Sequence, residues 1–275
     1  MTYKKQQIAV IIPAHNEEQC IAKVVRELAM LKASDSKQNN VNAENHLVDT
    51  IIVCDNGSTD ETAIAASEAG ASVVKEPQLG YGAACLRGMQ ELIRTNDGSE
   101  NIIADIVVFV DGDHSVLVSE LPLLLNKIIE GNDIVIGSRV PRLQQPGALS
   151  PHQQFGNILA SALIRFIWKQ PITDLGPFRA ITYNSLMQLD MQDQKFGWTV
   201  EMQVKAIQLG LKYAEVPVTS LTRIGVSKIS GTIKGTIGAA HGIFSKVFIL
   251  LWQQTAFRKT VKKVNNRDIE YQSSN

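Results

Sequence analysis

Two aspartates separated by one glycine, Asp111-Gly112-Asp113, close the apolar run Ile106–Val110. Paired carboxylates at a strand end can share a hard cation and leave room for phosphate oxygens, the usual setting of Mg²⁺ or Mn²⁺. The plain alternative is a turn, because Asp and Gly both favour turns. Two further acidic strand ends argue against it: Pro13-Ala14-His15-Asn16-Glu17 after Ile8–Ile12, and Asp55-Asn56-Gly57-Ser58-Thr59-Asp60 after Ile51–Cys54. Uncompensated carboxylates repel each other, so their convergence implies a bound cation. Asp55, directly after its strand, can accept from the ring N–H of uracil or guanine. A positive group comes later: Arg223, Ser227 and Lys228 are spaced around Gly225. An arginine grips two phosphate oxygens at once and a lysine acts as a point charge, so this loop suits an anion. An exposed basic loop is the alternative.

The elements that must position these groups alternate strand and helix. Ile8–Ile12, Ile51–Cys54, Val73–Val74, Ile106–Val110 and Ile134–Ile136 read as strands. Between them Ile21, Val24, Val25 and Leu28 recur at helical spacing. Asn16 is expected to cap that helix, with Glu17 and Glu18 at its positive end. Helices are also expected over Asp60–Ala69, Gly82–Ile93, Leu121–Ile129, Phe155–Trp168 and Val200–Leu209, and a strand over Tyr213–Val218. Such alternation predicts an α/β fold: a mostly parallel, Rossmann-like sheet with helices on both faces. Ligands of open parallel sheets bind at the carboxyl ends of the strands, where these motifs fall.

In order along the chain, Ile11-Ile12-Pro13-Ala14-His15-Asn16-Glu17, Asp55-Asn56-Gly57-Ser58-Thr59-Asp60, Gly80-Tyr81-Gly82 and Asp111-Gly112-Asp113 resemble the nucleotide-binding half of family 2 glycosyltransferases of the GT-A fold. The later Gly137-Ser138-Arg139, Thr173-Asp174-Leu175-Gly176-Pro177-Phe178-Arg179, Glu215-Val216-Pro217-Val218 and Arg223–Lys228 are similar to the branch containing dolichyl-phosphate mannose and glucose synthases. The resemblance implies transfer of a hexose from a UDP- or GDP-linked sugar. It implies base contact by Asp55, a nucleoside pocket lined by Pro13, His15 and Glu17, and a donor-site loop at Gly80. Asp111, Gly112 and Asp113 would form the Mg²⁺ or Mn²⁺ and diphosphate site, with Ser115 near the metal. Arg223, Ser227 and Lys228 would hold donor or acceptor phosphates, with Arg139 and Arg179 as further members of that cluster. An acceptor polyprenyl phosphate is already anionic, whereas a hydroxyl acceptor needs a base, for which Glu201 and Asp174 are candidates. At 152–154 the chain reads His-Gln-Gln where those synthases carry an arginine-bearing stretch, so both acceptor classes stand open.

On this reading residues 1–231 form the GT-A domain, a nucleotide-binding half to about 137 and an acceptor half from about 138. An amphipathic helix comes next over 232–257 and a polar tail over 258–275. From Val216 to Asn266 there is no acidic residue, while Ile233, Ile237, Phe244, Phe248 and Leu251 trace an apolar stripe. That combination suits a helix lying on anionic lipid, with packing on the protein itself as the alternative.

The 275 residues are 44% hydrophobic and 20% charged, with 27 basic and 27 acidic side chains, so a nucleic-acid-binding basic excess is absent. Three scattered cysteines form no CxxC pair and, with no secretory leader visible, predict a cytoplasmic protein, peripheral at the inner face of the membrane where the C-terminal helix lies on lipid. A dinucleotide loop at Gly80-Tyr81-Gly82 lacks its third glycine. A haloacid-dehalogenase-type phosphatase would carry its D-x-D on the first strand. A nucleotide-sugar binder without catalysis is the remaining rival.

Overall fold

The computed structural model describes residues 6–32, 46–96, 99–224, 242 and 244–253. Strand β1 (Ile8–Ala14) is buried along its whole length, as a continuous apolar run must be when helices cover both faces. It pairs in parallel with β2 (Thr50–Asp55) on one side and β6 (Ile106–Phe109) on the other. β3 (Ser72–Lys75) extends the β2 edge, and a hairpin of β4 (Ile93–Asn96) and β5 (Ser99–Ile102) stands apart. With β7 (Ile134–Gln144), β8 (Arg179–Thr182) and β9 (Tyr213–Ser220), the main sheet runs β3-β2-β1-β6-β8-β7-β9. Only β8 is antiparallel to its neighbours, so the sheet is mostly parallel.

Strand order turns back between β1 and β6. Their carboxyl ends part there, leaving a crevice at a topological switch point. One face of the sheet is covered by α1 (Ile21–Ala29), α2 (Thr62–Glu68) and α4 (Leu121–Ile129). The other carries α3 (Tyr81–Gln90), α6 (Tyr183–Gln188) and α7 (Trp198–Gln208). Ile21, Val24, Val25 and Leu28 are the buried face of α1, as their spacing predicts. A third cluster joins α7 to α5 (Pro151–Trp168) and to a helix over residues 244–253, α8. The three cysteines are buried and free.

Two local expectations differ. Asn16 does not cap α1: it sits at φ 55°, and its side-chain oxygen accepts from Thr59 N at 2.7 Å, tying the first loop to the second. The carbonyl of Glu17 caps instead, accepting from Cys20 and Ile21 N. In α8 the inward face is Val247 and Leu250, while Phe248 is exposed. Ile233 and Ile237 of the expected stripe lie outside the described residues.

Candidate nucleotide and metal site

A cavity of about 310 Å³ opens at the β1/β6 switch point. Pro13, Ala14, His15 and Glu17 come from the β1 tip, and Asp111, Gly112 and Asp113 from the β6 tip. Gly80 and Tyr81 open α3, and Phe196 and Arg223 close the far side. The size falls in the ordinary range of small-ligand sites.

Each wall has a local cause. Asn56 N donates to Ala14 O, and its amide donates to the carbonyls of Glu76 and Gln78 while accepting from Gly80 N at 2.8 Å. One side chain thus locks the β2 tip to the start of α3. His15 Nδ1 lies 2.8 Å from Asn56 O, which orients the ring along the same wall. Gly80 and Gly82 let the 191–197 loop close on α3. A Cβ at either would run into the carbonyls of Gln194 or Asp193, and those of Gln194 and Lys195 accept from Ala83 and Gly82 N. That loop brings Phe196 to the cavity. The chain after β9 folds back on the Asp113 loop, through Leu221 N to Ser115 O and Ile224 N to Asp113 O, which delivers Arg223.

The charges at the cavity are unevenly satisfied. Asp111 Oδ1 is shut off from solvent and makes no well-formed hydrogen bond, the Tyr81 hydroxyl being the polar group beside this carboxyl. Burial, and then the Asp113 carboxylate, push the Asp111 pKa up to about 7 against the opposing pull of Tyr81, Arg139 and Arg223. Asp113 Oδ1 accepts from Ser115 N at 3.0 Å, and its Oδ2 is 3.5 Å from Arg223 Nε. Arg223 also pairs with Glu17 at 2.7 Å. A buried carboxylate oxygen left without a well-formed hydrogen bond beside a second carboxylate is a donor set that fits a hard divalent cation. Among the described residues no third His, Cys, Asp or Glu joins them, so phosphate oxygens or water would complete the shell.

The structure gathers Pro13, His15, Glu17, Gly80, Asp111, Gly112, Asp113 and Arg223 around one space. Asp55 is buried beside it rather than lining it, accepting from Ser58 N at 3.1 Å, with Asn56 facing the cavity in its place. Ser115 contributes its backbone to the Asp113 turn. Ser227 and Lys228 lie outside the described residues. Two proposed bases are engaged elsewhere. Glu201 accepts from Gln192 and Asp193 N and pairs with Lys205 at 3.0 Å, so its oxygens hold the 191–197 loop. Asp174 grips Arg139 with both oxygens, at 2.7 and 2.8 Å. Burial raises its pKa, but Arg139 outweighs that and holds it below the ordinary carboxylate range. Arg179 is no phosphate ligand: it is fully buried and donates to the carbonyls of Thr199, Leu175 and Gly176. Sequence reasoning missed Asn56, Leu79 and Phe196. Asn56 had a signal, an amide directly after the strand-ending Asp55; Phe196 had none.

A mostly parallel sheet whose switch point presents a paired-carboxylate cleft is the arrangement of a GT-A nucleotide-sugar fold. The glycosyl transferase family 2 profile matches residues 9–189. An uncharacterized glycosyltransferase of Mycobacterium tuberculosis is 31% identical over 84% of this chain and 93% of its own. A polyprenol monophosphomannose synthase of Mycolicibacterium smegmatis is 27% identical over 86% of this chain and 91% of its own. The glucosyl-3-phosphoglycerate synthase of M. tuberculosis, solved with Mn²⁺, UDP and phosphoglyceric acid, superposes with a TM-score of 0.67. It is 22% identical, over 90% of this chain and 79% of that one. The chain belongs to glycosyl transferase family 2 and is a glycosyltransferase.

Proposed function

We propose that the enzyme moves a hexose from a UDP- or GDP-linked sugar to a polyprenyl-type phosphate, working at a membrane surface. The observation that carries the donor side is Asp111 Oδ1, buried without a well-formed hydrogen bond beside Asp113 at the cavity. Asp111 and Asp113 would hold Mg²⁺ or Mn²⁺. Bound there, the ion would neutralise the diphosphate leaving group as its charge grows. The polyprenol monophosphomannose synthase relative supports the acceptor class, and the UDP and Mn²⁺ complex of the structural neighbour supports donor and metal class. Arg223 lies against Asp113 and Glu17, where its guanidinium would meet the departing phosphate charge. Pro13, His15 and Gly80 shape the nucleoside end, and Ser227 and Lys228 extend the basic group in sequence.

For the acceptor, the carboxylates support one of the two classes over the other. Those lining the cavity among the described residues are Glu17, Asp111 and Asp113, and Glu17 is paired with Arg223. Asp174 and Glu201 are committed to internal ion pairs. A hydroxyl acceptor would need a free base, whereas a phosphate monoester arrives ionised. The phosphate acceptor is therefore favoured over transfer to a hydroxyl. Turnover of a nucleotide-sugar panel with Mn²⁺, with and without a polyprenyl phosphate, tests this. Product only when the lipid phosphate is present supports the reading; equal product on sugar hydroxyls sinks the acceptor half. No rise in melting temperature with UDP-glucose or GDP-mannose plus Mn²⁺ sinks the donor half, since a ligand selective for the folded state must raise it.

A further inference from the structure

Helices α5 and α8 meet the third core cluster through Ala160 and Ile164 on one and Val247 and Leu250 on the other. Both are also apolar on the side turned away from it. On α5, Phe155, Ile158, Leu159 and Phe166 are 68%, 63%, 44% and 73% exposed, at the spacing of one helical face. On α8, Phe248, Ile249 and Trp252 are 58%, 47% and 71% exposed, again on one face. Scattered apolar residues need no explanation, but two ordered stripes on neighbouring elements do.

Their charge surroundings are one-sided. The sequence has no Asp or Glu from 134 to 173, which contains α5, and none from 216 to 267, which contains α8. Arg165 is exposed at the edge of the α5 stripe, and just past the helix the ammonium of exposed Lys169 stands 4.6 Å over the Phe166 ring. Beyond Gln253 the sequence continues with Arg258, Lys259, Lys262, Lys263 and Arg267. Among the described residues no helix is long and apolar enough to cross a membrane.

We propose that the outward stripes of α5 and α8 together seat the enzyme on an anionic lipid surface. Aromatic side chains enter the boundary between headgroups and acyl chains, while flanking cations meet lipid phosphates. A second copy is the poorer occupant, because it would bring an equally acid-free, basic surface. This deepens the membrane part of the proposed function. Lys246 of α8 pairs with Asp193 at 2.8 Å, and a Cβ built on Gly242 would lie 3.9 Å from that of Phe196. The seated helix thus adjoins the loop that walls the cavity, where a lipid phosphate has to enter.

The full chain is sedimented with vesicles of phosphatidylcholine plus phosphatidylglycerol, and of phosphatidylcholine alone, across a salt series. Wild type should bind the anionic vesicles, less so as salt rises. The double variants Phe155→Asp/Phe166→Asp and Phe248→Asp/Trp252→Asp should each weaken binding about tenfold or more, with unchanged melting temperature. Unaltered binding by both variants overturns the proposal. So does equal, salt-insensitive binding to phosphatidylcholine, or a wild-type dimer that the variants dissociate. Turnover on a water-soluble short-chain polyprenyl phosphate, without vesicles, should be the same in wild type and variants. If wild type fails there, the acceptor reading falls while vesicle binding still decides the docking surface.

Discussion

Charged side chains on the two sides of the cleft are used in opposite ways. On the strand-tip side, Asp111 keeps a buried oxygen without a well-formed hydrogen bond, and Arg223 is shared between Glu17 and Asp113. On the side built from residues 139–208, the comparable charges are met largely within the protein. Asp174 closes a two-oxygen pair with Arg139, Glu201 holds two loop amides and Lys205, and Arg179 donates to three carbonyls, its remaining Nε buried away from the cavity lining. A charge whose bonds the protein completes is scaffold. A buried carboxylate left incomplete where it lines a cavity costs stability, so its persistence points to a ligand that completes it.

The sharpest way to break this contrast is Asp113→Asn. Halving the charge of the proposed ion site should lower Mn²⁺-dependent turnover about 10³-fold, or about 4 kcal/mol of transition-state stabilisation. The melting temperature should hold, because asparagine keeps the Oδ1 acceptor for Ser115 N and only the 3.5 Å contact of Oδ2 with Arg223 is weakened. Turnover within a few-fold of wild type would show that the strand-tip carboxylates are scaffold too.

The opposite side should respond in stability. Asp174→Asn leaves Arg139 without its counter-charge at a site where Asp174 is 1% exposed. The expected loss is about 3 kcal/mol in denaturant unfolding. The pH dependence has a definite sign. Because Arg139 holds the Asp174 pKa below its ordinary value, the pair's contribution is complete above about pH 4. It fades as pH falls further through the lower folded-state value, so the gap between wild type and variant should narrow only in acid. A gap that instead grows below pH 4 would mean the pair is not what holds the residue.

Much of the strand-tip side was legible in the sequence, for a physical reason. Ile8–Ile12 and Ile106–Val110 are continuous apolar runs that only a strand covered on both faces can bury, and the residues just past the end of such a strand lie at the ligand edge. Strand β8 was not legible. Arg179–Thr182 is four residues with no alternation to read, and it becomes a strand because β6 and β7 offer it edges on both sides. Its Arg179 looked like a phosphate ligand in a Gly-Pro-Phe-Arg run, and only the packing around Trp198 shows the guanidinium turned inward, 5.8 Å from that ring. Phe196 reaches the cavity through the close approach of its loop to Gly80 and Gly82, a contact that spans more than a hundred residues of chain. The pairing of 93–96 with 99–102 was missed although the sequence carries a signal for a hairpin, an Asp-Gly dipeptide between the two segments.

Glu201 gives the finest test, because a buried acid near a cleft is the usual profile of a catalytic base. Its Oε2 accepts from Gln192 N at 3.1 Å and Asp193 N at 2.6 Å, while Oε1 faces Lys205 at 3.0 Å and Lys246 at 4.0 Å. Glu201→Gln keeps one acceptor for the loop amides and removes the charge that the two lysines face. If the residue is scaffold, stability should fall by about 1–2 kcal/mol and turnover by no more than about fivefold. The shape of the pH–rate profile should not change, since a loosened loop displaces Phe196 without altering any group that titrates in the reaction. A general base would behave differently: its removal costs about 10²–10⁴-fold and erases the limb of the profile that reports its pKa. The two readings therefore separate on the profile's shape even if the rate loss falls between them.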